Sequence, residues 1–234
     1  MYFVWFVTIC VSITKIQNFC EITNFFRQFL IPNSRKDVHH KPKETISMKS
    51  LKPRPWLLPQ PVLILGTYDK DGNPNAMNAA WGGTWDAGEV MISLGSHATT
   101  DNLGVCGDFT IAFATEETMA AADFVGIVSA RKDPRKMEKT GWTAVKAEHV
   151  NAPVYTAFPM TLECRVKTKM DETETGCYVI AEIVNILCDE KFLAEDGKPD
   201  VERMKLITFD PVHNGYIALG NRVGNAFSDG NSLK

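Results

Sequence analysis

Two short stretches of this 234-residue chain combine residue types that a plain hydrophobic core does not need. The first is NAMNAAWGGTW, residues 75–85, where two asparagines, several small side chains and Trp-Gly-Gly succeed one another. Small side chains let a flat ligand approach the backbone, whose N–H and C=O groups can then pair with its polar edge. Asn75 and Asn78 each offer a donor and an acceptor, which suits a heteroaromatic ring whose edge alternates C=O, N–H and C=O. Trp81 or Trp85 would wall that ring or shape the pocket mouth. The plain alternative is an edge strand loosened by glycine and carrying a core tryptophan.

The second stretch is SLGSHATTDN, residues 93–102. A strand is expected to end at Gly95, hydroxyls follow at Ser96, Thr99 and Thr100, and a helix is expected from near Asp101. Free N–H groups at a helix N-terminus, joined by threonine hydroxyls, make an anion site with few basic residues. The alternative is a simple cap by Thr99 or Thr100 with nothing bound. The run RKDPRK, residues 131–136, reads as a solvated basic face, with attraction for the phosphates of a soluble cofactor as its other reading. GNRVG at 220–224 lacks the third glycine and the helix pattern of a dinucleotide loop, so it reads as a turn.

Metal and hydrolytic chemistry find no support. His97, His149 and His213 stand in no HExxH, HxH or Ser/His/Asp order and read as structural or surface residues. The six cysteines, at 10, 20, 106, 164, 177 and 188, include no CxxC and no zinc spacing. Reduced, mostly buried thiols and a cytoplasmic setting follow. A net charge of −3 leaves no basic footprint for nucleic acid.

The elements that must position these stretches are mainly strands. Val62–Tyr68 is a β-rich run, and Asp71-Gly72 supplies a hairpin turn before the chain returns through Asn75–Trp81. Val90–Leu94, Phe109–Ala114 and residues 215–220 add three more. Met160–Met170 alternates Leu162, Cys164 and Val166 against Glu163, Arg165 and Lys167, a half-buried pattern with the charged set outward. Cys177–Cys188 is apolar on both faces, as a central strand would be. Helices are expected over a turn at Thr100–Cys106, over 116–129, and from Asp133-Pro134 through Lys139 to a stop at Gly141. The fold class is therefore mainly β with inserted helices, a β-barrel with helical decoration.

Residues 1–47 differ in texture. They carry six Lys/Arg against three Asp/Glu, leaving −6 for the remainder. The apolar run 2–14 is too short to span a bilayer and lacks a basic lead or a small-x-small cleavage site. Three readings stand open: a start placed too far upstream of Met48, a targeting or anchoring segment, or a working part of the fold. The domain proper is taken as 48–234, with no membrane contact expected of it.

PVLILGTYDKDGNPNAMNAAWGG, SLGSHATTDNL, FTIAFAT, DFVGIVSARKDPRKMEKTGWT, CYVIAEIV and GYIALGNRVGNAF, in this order and spacing, together resemble the flavin reductase-like family, closest in character to flavoredoxin. The match covers about residues 56 to 227. The resemblance implies an FMN-binding split β-barrel, usually a homodimer with the flavin near the subunit interface. It implies electron transfer from NAD(P)H or another donor through FMN, with a redox-protein partner as a further possibility. A non-catalytic FMN-binding electron carrier that nicotinamide does not reduce is the alternative, and a split barrel holding haem or another ligand is a third reading.

By the same resemblance Asn75, Asn78, Ala79, Ala80 and Trp81 would line the isoalloxazine, and Ser96, Thr99, Thr100 and Asn102 the ribityl chain and phosphate. Lys139 and Tyr216 match the family's outer pocket. No catalytic acid or base is required, because the flavin carries the chemistry. Two departures stand out: Cys177 replaces a common His, and His97-Ala98 replace a basic residue before the threonine pair.

Overall fold

In the computed structural model, residues 47–234 are described, and the compact unit runs Pro53–Lys234. The readings of residues 1–46 lie outside the described residues. Twelve strands are present among the described residues: β1 Gln60–Pro61, β2 Leu63–Tyr68, β3 Pro74–Ala79, β4 Gly82–Asp86, β5 Glu89–Gly95, β6 Asp108–Phe113, β7 Ala144–Lys146, β8 Pro153–Tyr155, β9 Met160–Thr173, β10 Gly176–Cys188, β11 Ile207–Asp210 and β12 Gly215–Ala218. Two α-helices interrupt them, α1 Ala98–Val105 and α2 Met119–Ile127, with a 3₁₀ turn at Lys136–Thr140.

Seven strands form one antiparallel sheet in the order β3-β2-β6-β9-β10-β5-β4. Its two edges, β3 and β4, are consecutive in the chain and separated only by Ala80 and Trp81. A covalent corner thus links the two edges, and the fold is a split β-barrel with inserted helices. A small sheet β1-β11-β12 and the hairpin β7-β8 complete the architecture.

Side-chain alternation explains the two main cores. Leu63 and Leu65 of β2 join Ile92, Leu94, Phe109, Ile111, Leu162, Cys164 and Val179 in one cluster. Val62 and Ile64, on the opposite face, pack with Ala76, Ala122, Val125 and Tyr155 under α2. β2 is therefore apolar on both faces because both are covered. β10, flanked by β9 and β5, is an interior strand, as its apolar sequence indicates.

The alternation of β9 holds for Arg165 and Lys167, whose side chains are half-exposed at 51% and 52%. It fails at Glu163, which is fully buried. Here the segment carrying Ala147, Val150 and Ala152 folds over the sheet and supplies the carboxylate with donors. The expected helices form within a few residues of their indicated positions. Gly141, at φ 69°, ends the 3₁₀ turn in the left-handed region that favours glycine.

Candidate flavin site

The structure divides β3 between two neighbourhoods. Asn75 and Asn78 are three residues apart on a strand and so face opposite sides of the sheet. Asn75 is buried and donates through Nδ2 to Thr99 Oγ1 of α1 at 3.0 Å. Its Oδ1 has no hydrogen-bond partner. Asn78 donates to Ala122 O of α2 at 3.1 Å and approaches the Tyr216 hydroxyl at 3.5 Å. Gly126 admits this contact, since a Cβ there would lie 3.0 Å from Asn78 Cβ.

Tyr216 donates in turn to Asp123 Oδ1 at 2.8 Å. Burial, and then the bond to the Asp123 carboxylate, push the phenol up to about 12. Tyr216 therefore stays protonated and able to donate across the working pH range. Asp123 has no local sequence signal, because its partner is 93 residues away in the chain.

Helix α1 begins at Ala98, three residues before its expected start. His97 takes the N-cap position without a side-chain capping bond, and Thr99 and Thr100 fall in the first turn. The threonine hydroxyls are used elsewhere: Thr99 accepts from Asn75, and Thr100 donates to Gly95 O at 2.6 Å. The first-turn N–H groups of α1 have no intrahelical acceptor, which is the general condition of a helix start. Asn102 points inward, donating to Thr67 Oγ1 at 2.9 Å, and Ala79 is packed in the core.

Ala80 and Trp81, at the corner, line an apolar cleft of about 630 Å³ with Trp56, Leu57, Gln60 and Met91. Trp81 and Ser93 also line a second cleft of about 470 Å³ on the far side, with Gly95, Thr173 and Tyr178. Trp81 is 56% exposed, so it separates two open clefts and does not fill a core. Lys139 lies apart, its ammonium 2.6 Å from Asp133 Oδ2. Cys177 is buried in the sheet core opposite Leu94, and burial raises its thiol. It nevertheless borders the second cleft, with a neutral thiol in place of an imidazole.

Arg131 comes to the anion loop from outside. Its guanidinium clasps Asp101 through Nε and Nη2 at 2.9 and 2.8 Å and reaches Ser96 O and His97 O at 3.3 and 3.2 Å. The solvated-face reading of the 131–136 run holds for Arg131, which is exposed although tied to the loop. It fails at Lys136, which is buried and donates to Val125 O and Val128 O. Burial pushes that ammonium down to about 8, against the opposing pull of Asp133. A signal for Arg131 exists in the sequence: residues 71–130 contain no Lys or Arg, so a cation at this loop must come from outside that stretch.

The flavin reductase like domain family matches residues 56–199. The chain belongs to the flavin reductase-like family. Flavoredoxin of Desulfovibrio vulgaris (Miyazaki F) is 34% identical, with a TM-score of 0.73 over 78% of this chain and 99% of that one. Flavoredoxin from Methanosarcina acetivorans is 26% identical, with a TM-score of 0.72 over 80% of this chain and all of that one. Nitrilotriacetate monooxygenase component B from Bacillus cereus shares the fold at 18% identity and a TM-score of 0.64, covering 76% and 99% of the two chains. Among curated proteins no match is found. The family places this chain among flavin-linked oxidoreductases. Among the described residues no helix is long and apolar enough to cross a membrane, and no cluster of His, Cys, Asp or Glu could hold a metal.

Proposed function

We propose that this chain is an FMN-dependent oxidoreductase that accepts electrons from NADH or NADPH and passes them to a flavin or a redox-protein partner. The observation that carries the reading is the unpartnered Asn75 Oδ1 beside the α1 start. It is one of three such buried atoms among the described residues, with Gln60 Oε1, on the wall of the larger cleft, and Tyr155 Oη. A buried acceptor without a donor costs free energy unless a ligand supplies one. A ribityl hydroxyl is a donor of the right kind, so the residues present fit FMN. It would lie between the Ala80–Trp81 corner, the Asn75–Thr99 pair and the α1 start.

The bound flavin would supply hydride and electron transfer. The chain's own residues hold and orient it. Trp81 walls the ring, Asn75 and Ser96 offer polar contacts, and the α1 N–H groups favour the phosphate. Asn78, fixed by Ala122 O, holds β3 against α2, while Tyr216 and Asp123 brace that side. None of these roles needs a proton to leave a side chain.

Trp56, Leu57 and Trp81 leave an exposed apolar surface around the larger cleft. Such a patch favours a second copy of this chain as the occupant, in a homodimer that would close the cleft. A cytoplasmic setting suits reduced thiols and a nicotinamide donor.

The test is an anaerobic absorption spectrum of the purified protein with FMN, before and after NADH and then NADPH. Bleaching of the bound flavin by either nucleotide is expected. Retained flavin that neither nucleotide bleaches would replace the reductase with an electron carrier. Loss of flavin on gel filtration would remove the prosthetic reading and leave FMN as a released substrate.

A further inference from the structure

We infer that Arg131 is the positioning residue that gives this site its preference for a phosphorylated flavin. The inference rests on the flavin reading above. From residue 71 to residue 130 the chain carries eight carboxylates and no Lys or Arg, so the loop Ser96–Asp101 has no cation of its own. Arg131, just beyond α2, is brought onto that loop and spans both of its ends. It holds Asp101 by two bonds, reaches the Ser96 and His97 carbonyls, and approaches Ser96 Oγ at 3.5 Å.

The planar fork of a guanidinium can make all these bonds at once, whereas a lysine ammonium is a point charge with rotating donors. By accepting from Arg131, Ser96 Oγ and the two carbonyls turn their lone pairs away from an anion. The Ser96 hydroxyl hydrogen and the first N–H groups of α1 remain to donate. Asp101 would otherwise repel a phosphate at the helix start, and the salt bridge offsets its charge. Lys136 adds a second positive charge nearby. Burial, then Arg131, then Lys136 depress the His97 imidazole, so His97 is neutral at pH 7 and the cationic character of the loop comes from Arg131.

FMN and riboflavin differ only in the phosphate, so their affinity ratio isolates this effect. The experiment titrates each flavin into the full chain, following flavin fluorescence, for the wild type, Arg131→Met and Arg131→Lys. Thermal melts run alongside. The wild type is expected to favour FMN, and Arg131→Met to weaken FMN by about tenfold or more while riboflavin changes less than about twofold. Arg131→Lys is expected to recover only part of the loss. Inorganic phosphate should compete with FMN and not with riboflavin in the wild type, a readout that needs no variant to fold.

Equal losses for FMN and riboflavin in Arg131→Met would make Arg131 a structural residue only and overturn the inference. So would unchanged FMN affinity, full rescue by lysine, or a wild type that does not distinguish the two flavins. A wild type that binds neither flavin would instead remove the flavin reading itself.

Discussion

Two buried polar clusters in this protein are built from similar parts and finished differently. Around Glu163, Oε1 accepts from the Glu148 N–H at 3.0 Å, and Oε2 accepts from His149 Nδ1 and Asn185 Nδ2, both at 2.8 Å. Around Asn75, Nδ2 is bonded to Thr99 but Oδ1 has nothing. A carboxylate acceptor requires the proton on His149 Nδ1, so the first cluster also fixes a tautomer. It is closed: its bonds run between β9, β10 and the covering segment, and no donor is missing. The second is open on one atom. A closed network specifies structure, and an open one marks where a ligand is expected.

The sharpest way to break the comparison is Glu163→Ala. Three donors would lose their acceptor, the fully buried Glu163 side chain would leave a void, and the covering segment would lose its anchor. The expected cost is about 3 kcal/mol in urea denaturation. Flavin affinity of the folded fraction should not move. A flavin affinity that collapses with stability retained would place the closed cluster in the site and reverse the contrast.

Acid sharpens the same point. Burial opposes ionisation of Glu163, but hydrogen bonds from Asn185, His149 and Glu148 outweigh it and hold the carboxyl below its usual range. A depressed carboxylate contributes stability that is fully present above its unfolded pKa and is lost as pH falls through the folded value. Wild-type stability should therefore decline below about pH 4, and Glu163→Gln should flatten that decline while lowering stability at pH 7. An acid limb identical in both proteins would show that other carboxylates dominate it.

The open cluster should behave in the opposite manner. Asn75→Ala removes one bond to Thr99 together with the unpartnered acceptor, so the stability change is expected to stay under about 1 kcal/mol. FMN and riboflavin should both weaken, by about tenfold, because the lost acceptor would face the ribityl chain they share. Loss of stability with unchanged flavin binding would make Asn75 a core residue with an imperfect bond.

The contrast also shows what the sequence could express. The strand-rich class, the interior position of Cys177–Cys188 and the turn at Gly72 were legible, because each depends on local periodicity and backbone preference. The Glu163 cluster was not. Its alternation with Leu162 and Cys164 looks like an outward charge, and only the covering segment around residues 147–152, which carries no strand or helix pattern of its own, reverses that. In the candidate site, the loop 93–102 and the corner at Ala80–Trp81 were legible from composition. The split of Asn75 from Asn78 follows from strand alternation once β3 is placed, yet reading residues 75–81 as one lining set passes over it. Arg131 was legible only as part of a basic run that could attract a cofactor phosphate, and Asp123 was out of reach of local pattern, since its partner lies 93 residues away.

Tyr216→Phe tests the side of β3 away from the anion loop, where the effect should be smallest. The substitution keeps the ring, and with it the packing against Phe209, whose centroid is 6.1 Å away. It removes one donor from Asp123, a half-buried carboxylate that solvent can reach in compensation. Asn78 keeps its bond to Ala122 O, so β3 stays fixed to α2. The expected loss is about 1 kcal/mol of stability, with FMN affinity shifted by less than about threefold, measured by urea denaturation and flavin titration on the same preparation. A larger affinity loss at constant stability would put the Tyr216 hydroxyl on the ligand and not behind β3. No change in either would remove the Tyr216–Asp123 bond from the elements that hold the site.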